Sequence, residues 1–196
     1  MTSILPPDHV AKWSAPTAHH DDKSPPFACG PHVSNRASMD QAVLAQNGKI
    51  LEAASGVCLL IVVYLAKLKL GAVIHLWRNH ELWTEQQDLI RNVFTQFPQL
   101  SGNSYVGFVS NQNIEAELPE LATAAKVLIR TLAPDARIED VWVNSYDHPD
   151  VDPQEVDPDL IEMEYQMSVD VALGTAAGTL IIFDDFGETA TIDLMS

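Results

Sequence analysis

Cysteine is nearly absent from this chain of 196 residues: Cys29 and Cys58 are the only two. That count excludes a disulfide framework, and it excludes four-thiolate zinc and iron–sulfur sites. Long apolar runs are missing too. The longest, Val57–Ala66, spans ten residues, half of the ~20 that a membrane-crossing helix requires, so no membrane insertion is expected. Met1–Lys12 has no basic stretch followed by an apolar core, and therefore no secretory signal is expected. The cytoplasm is the expected compartment, with export by a signal-independent route left open. Positive charge is the third scarcity. Eleven Lys and Arg face 27 Asp and Glu, a formal charge of -16. A surface with so large an acidic excess opposes phosphate backbones, so nucleic acid is an unsuitable partner, and no polybasic cluster is present to dock on anionic lipid.

The acidity is unevenly placed. Residues 135–196 hold 16 acidic residues and one arginine, whereas residues 1–134 hold 11 acidic and 10 basic ones. Within the acidic half, Asp147–Asp159 combines prolines with like charges, which predicts an extended loop suited to a basic protein partner. Its Asp147, Asp150, Asp152, Glu155, Asp157 and Asp159 partly follow calcium-loop spacing but lack the central glycine, so no metal site is expected. At the other end, Pro6, Pro7, Pro16, Pro25, Pro26 and Pro31 interrupt any periodicity, and residues 1–39 read as a Pro-rich flexible tail. His19, His20, Asp21, Asp22, Cys29 and His32 then belong to a solvated segment rather than to a metal centre. Residues 40–196 remain as a single folded domain.

Within that domain the pattern predicts a short helical stretch at Met39–Ala45, a turn at Asn47-Gly48 and strands at Lys49–Ala53, Cys58–Tyr64 and Gly71–Trp77. A capped amphipathic helix follows at Thr84–Phe97, with Leu89, Ile90, Val93 and Phe97 as its stripe. A strand at Ser104–Ser110, a second helix at Leu118–Leu132 and a strand at Ile138–Val143 come next. After the acidic loop, strands are expected at Ile161–Leu173, Thr179–Phe183 and Thr189–Leu194. Two central helices among so many strands predict an α+β fold, a mostly antiparallel β-sheet sandwich with both helices packed on one side.

The residues that could carry chemistry lie around Cys58. If Cys58–Tyr64 and Gly71–Trp77 form a hairpin whose turn centres between Ala66 and Lys67, His75 stands opposite Cys58. Directly opposed side chains have Cβ atoms ~4.5–5.5 Å apart, so His75 could hold a thiolate at Cys58, which would then be the more reactive of the two thiols. Ser55-Gly56 precedes the thiol, and the backbone N–H groups of Gly56, Val57 and Cys58 could face a developing oxyanion. On the residues alone, a buried apolar-like thiol and a core histidine fit as well. His80 and the Asn111, Gln112 and Asn113 cluster read as loop residues.

Gly48 to His75 resembles the N-terminal signature of the chemoreceptor glutamine deamidases of the CheD family: a strand, a Gly-containing turn ending in cysteine, and a Gly-[Gly/Ala]-x-x-His motif 17 residues on, matched here by Gly71-Ala72-Val73-Ile74-His75. The resemblance implies a sandwich with two helices on one side, no cofactor, and hydrolysis of a protein glutamine side chain by Cys58 and His75. Where the family has a threonine six residues before the cysteine, this chain has Glu52, so the implied third group is Ser55, Glu52 or a backbone carbonyl. The wider set with this Cys–His arrangement includes toxins resembling the cytotoxic necrotizing factor deamidase domain. The implied substrate is accordingly a chemoreceptor or a host protein, and the non-enzymatic alternative is a degenerate relative that binds a partner through its acidic C-terminal half.

Overall fold

The computed structural model describes residues 5–6, 8–15, 27–55, 58–78, 83–97, 104–110, 119–142, 169–184 and 189–195. They form two β-sheets and two α-helices. The larger sheet has seven strands: β1 (Val10–Ser14), β2 (Phe27–Gly30), β4 (Gln41–Gln46), β6 (Leu59–Leu65), β7 (Leu70–Leu76), β8 (Ser104–Ser110) and β9 (Arg137–Trp142), in the order β2-β1-β4-β7-β6-β8-β9. The smaller sheet has five: β3 (Arg36–Ala37), β5 (Ile50–Ser55), β10 (Val169–Gly174), β11 (Thr179–Asp184) and β12 (Thr189–Asp193), in the order β12-β11-β10-β5-β3. Pairing is antiparallel except for β8 with β9 and β3 with β5. Helices α1 (Trp83–Phe94) and α2 (Pro119–Leu132) lie on one face of the larger sheet. The α+β sandwich with both helices on one side is thus the observed architecture.

Strand β6 shows why this sequence takes a three-layer form. Its seven residues, LLIVVYL, are all buried, because alternate side chains enter different cores. Leu59, Ile61, Val63 and Leu65 meet Leu89, Ile90 and Val93 of α1 and Leu121, Ala125 and Ile129 of α2. Leu60, Val62 and Tyr64 meet Leu51 and Ala53 of β5 and Val171, Leu173, Leu180 and Ile182 of β10 and β11. A continuous apolar run therefore marks a middle layer here, not a membrane span. Among the described residues no helix is long and apolar enough to cross a membrane.

The two sheets approach closely where β7 carries no side chain. A Cβ added at Gly71 would stand 2.6 Å from Leu173 Cδ2 and 3.0 Å from Thr175 Cγ2. Leu173 occupies that space, so Gly71 of the histidine motif serves packing as well as sequence likeness.

Two expectations are corrected. Residues 1–39 are not a tail throughout: β1, β2 and β3 are built into both sheets, and Val10, Ala11, Trp13, Ala15 and Ala37 are buried. Proline density concealed two short apolar stretches, VAKW and FAC, that pair with each other, VAKW pairing with β4 on its other side. The stretch expected to be helical at Met39–Ala45 is strand β4, buried at every position. Its six residues lie between β1 and β7, and partners on both sides outweigh local propensity. Residues 19–22 and 147–159, with the histidine and acidic clusters, lie outside the described residues, as do His80 and Asn111–Asn113.

Two substitutions test this architecture by denaturant titration. Trp13→Ala should lose about 3 kcal/mol or more through the cavity left in the helix-side core, whereas a tail residue would cost nothing. Gly71→Ala should lose about 1–3 kcal/mol by forcing Leu173 out of its place.

Candidate functional site

Cys58 lies where the chain crosses from the smaller sheet to the larger one, three residues after Ser55 ends β5 and one residue before β6 begins. Ser55 belongs to the inward-facing set of β5 with Leu51 and Ala53, since β5 alternates exposed and buried. Its hydroxyl accepts from the Cys58 N–H at 2.8 Å and donates to the Cys58 carbonyl at 2.9 Å. One hydroxyl therefore clasps the two ends of the crossing and fixes the backbone that carries the thiol. Gly56 and Val57, the expected oxyanion donors, lie outside the described residues.

The register differs from the expected one by two residues. A 3-10 turn at Ala66–Leu68, closed by Lys69 in the left-handed region (φ 50°), links β6 to β7. This four-residue connection supplies the positive φ that the expected tight turn lacked residues for, and it moves the centre of the hairpin one residue along the chain. Leu65 then pairs with Leu70, and Leu60 with His75. Carried one step past the strand, the register sets Cys58 against Trp77. His75 is its diagonal neighbour on the inter-sheet face, not its direct opposite. The shift is an even number of residues, so the face is kept. Cys58, His75 and Ser55 are all buried, at 3%, 4% and 3% exposure.

His75 Nδ1 is 3.4 Å from the carbonyl oxygen of Ala37, on β3. A proton on Nδ1 directed at that carbonyl leaves Nε2 as the basic nitrogen. A backbone carbonyl, one of the expected candidates for the third group, thus faces the His75 ring and is contributed by the segment expected to be a tail. Glu52 does not serve. Strand alternation turns it to the outer face of the smaller sheet, where it is exposed beside Arg36 and lines an open hollow of about 140 Å³ with Asp170 and Phe183.

The thiol sits among groups that oppose one another. Burial pushes Cys58 up from an ordinary 9.0 to about 11; the Ser55 hydroxyl draws it down, the Asp40 carboxylate pushes it up, and the Arg78 backbone N–H and guanidinium draw it down. Burial prevails, so Cys58 is a neutral thiol near pH 7 and not the standing thiolate expected from the sequence. The expected order of reactivity is reversed as well, because Cys29 is exposed on edge strand β2.

Three further residues bear on the site. Asp40, with φ 52°, is almost fully buried; its Oδ1 accepts from Trp77 N at 2.9 Å and from Gln86 Nε2 at 3.1 Å. Gln86 Nε2 also donates to the Trp77 carbonyl at 2.7 Å. For Gln86 a sequence signal existed: it is a polar residue on the same helical stripe as Leu89, Ile90 and Val93. Asp40 and Arg78 gave none. Among the described residues no group of three or more His, Cys, Asp or Glu could hold a metal ion.

Strand direction gathers many connections at this end. β5, β7, β8, β9 and β11 all finish here, and β6, β10 and β12 all start here. The chain between Trp142 and Val169 carries eight acidic residues and no Lys or Arg, and Val169 pairs directly with Ser55.

Alkali provides a test of the thiol. Its folded value lies above its unfolded one, so the stabilisation of about 2–3 kcal/mol is complete below pH 9 and disappears as pH rises to about 11. Denaturant titrations at pH 8 and pH 11 should show wild type losing about that much more than Cys58→Ala. Tyr64 and Tyr105, also raised by burial, contribute equally to both proteins. At pH 7.5 iodoacetamide should label Cys29 well before Cys58.

No protein-family model matches the chain, and no curated protein matches it significantly.

Proposed function

We propose that the protein is a thiol-dependent amide hydrolase that converts a glutamine side chain of a target protein to glutamate. The observation that carries this reading is the burial of Cys58, clasped by Ser55, and of His75, held at the Ala37 carbonyl, at the same end of the paired strands β6 and β7. A buried polar group that is not needed for packing costs stability, and its concentration at a rim where many connections meet suits a site. The Cys–His spacing and the Gly71–His75 motif resemble those of the CheD deamidases, which makes a chemoreceptor the first substrate to try.

The chemistry follows from a neutral thiol. As sulfur bonds to the carboxamide carbon, His75 Nε2 takes the thiol proton, so proton transfer accompanies attack. Collapse of the adduct breaks the C–N bond; ammonia leaves with the proton from His75, and a thioester remains. Water then adds to the thioester carbon, giving one proton to His75, and the sulfur leaves with that proton to release glutamate. No cofactor is needed. Two thiols outside any disulfide suit a reducing compartment, and the cytoplasm is the compartment we assign.

One observation favours a second reading. A 3%-exposed thiol pushed up to about 11 also describes a core residue of a binding module. In that reading the contact surface is the acidic half, where Asp135, Glu139, Asp140, Asp170 and Asp193 are exposed, and the partner is a basic protein.

Intact mass separates the two. A glutamine-containing chemoreceptor cytoplasmic domain incubated with the protein should gain ~1 Da per converted amide, and should gain nothing with Cys58→Ser or His75→Ala that keep the wild-type circular dichroism. No gain with wild type, together with salt-sensitive binding of a basic protein that survives Cys58→Ser, would replace the enzyme by the binding module.

A further inference from the structure

The geometry points to Gln86 and Asp40 as positioning residues for Cys58: together they fix the Trp77–Arg78 peptide so that its N–H is directed at the sulfur. The inference rests on the amidase reading, and it names donors that the Cys–His pair alone does not include. Trp77 O and Arg78 N belong to one peptide plane, and no cis bond occurs among the described residues. A trans peptide holds its C=O and N–H antiparallel. Gln86 Nε2 donates to the carbonyl side of that plane at 2.7 Å, so the N–H points the opposite way. The β6–β7 register, carried one step past Leu59 and Leu76, sets Cys58 against Trp77 on the neighbouring strand, and the Arg78 N–H draws the thiol down. A hydrogen bond into the carbonyl polarises the N–H across the same peptide and strengthens it as a donor.

Asp40 fixes the other two points of the arrangement. Its Oδ1 takes the second Nε2 hydrogen of Gln86 at 3.1 Å and the Trp77 N–H at 2.9 Å. The Trp77 residue is thereby held at both its N–H and its carbonyl just beyond the end of β7, where ladder pairing has ceased. The orientation of the Gln86 amide is set by its two acceptors, a carboxylate oxygen and a carbonyl oxygen, which admit only the nitrogen. Its Oε1 is buried with no hydrogen-bond partner among the described residues. A core position that served packing alone would be filled more stably by leucine or methionine, since an unpaired buried carbonyl is unfavourable. The two donated bonds are what Gln86 contributes, and they lead through one peptide to the thiol. During attack, the Arg78 N–H stabilises the negative charge that develops on sulfur as its proton passes to His75.

The test reads the thiol and the peptide directly, so it does not depend on turnover. In a Cys29→Ser background with 13Cβ-labelled cysteine, NMR titration follows Cys58 alone, and amide exchange follows Trp77 and Arg78. Gln86→Met keeps volume and charge but removes both donors. It should raise the Cys58 titration midpoint by about half a unit or more and speed Arg78 exchange about tenfold or more. Asp40→Asn keeps an acceptor oxygen and tolerates the left-handed backbone. It should leave exchange within about threefold of wild type and lower the midpoint, because a carboxylate charge is gone. Opposite movements in the two variants are not expected of residues that merely fill space. With a chemoreceptor domain as substrate, Gln86→Met should reduce kcat about tenfold or more at unchanged KM. Unchanged midpoint and exchange in Gln86→Met would overturn the positioning role. Shifts as expected in a protein whose wild type never adds mass to substrate would overturn the amidase reading instead.

Discussion

Everything in this molecule depends on the burial of β6 and β7 on both faces. Two runs of seven strand positions are withdrawn from water, helices covering one side and the smaller sheet the other. At about 25 cal/mol per Å² of apolar surface, that two-sided layer supplies much of the driving force for folding. It also dictates where polarity can survive. The middle of the layer offers no hydrogen-bond partners beyond the ladders, so Ser55, Cys58 and His75 occur where the strands end and the chain crosses between sheets.

The end of the layer is ordered by short local bonds rather than by a large charge network. The Ser55 hydroxyl spans the crossing, the Ala37 carbonyl meets His75, and Asp40 with Gln86 holds the residue that follows β7. These groups come from β5, β3, the residue before β4, and α1. The same burial that collects them keeps the thiol neutral, so a nucleophile here depends on proton transfer at the moment of reaction. The surface salt bridges, such as Lys126 of α2 with Asp140 of β9 at 2.8 Å, involve none of these groups.

Much of the fold was legible in the chain. Strand Ser104–Ser110 and the span of α2 follow from alternation and helical spacing, and both are observed within a residue of expectation. Such patterns are local consequences of the 2.0 and 3.6 periods. β1, β2 and β4 were not legible. VAKW is too short to alternate persuasively, and QAVLAQ is a fair helix former until neighbours on both sides make it a strand. The candidate site divides the same way: Cys58, His75 and Ser55 were visible as residues, while the facing of Glu52, one of three candidates for the third group, was decided only by the fold.

By itself the sequence determined the two-period pattern and the scarcity of cysteine that excludes a disulfide framework. Tertiary structure alone decided which residues surround the thiol. The 3-10 turn set the register, β3 brought the Ala37 carbonyl to His75, and α1 brought Gln86 to the Trp77 carbonyl. Those choices depend on contacts between segments up to 46 residues apart, and no local period encodes them. The neutrality of Cys58 is of the same kind, because desolvation belongs to the packed layers and not to any residue in the chain.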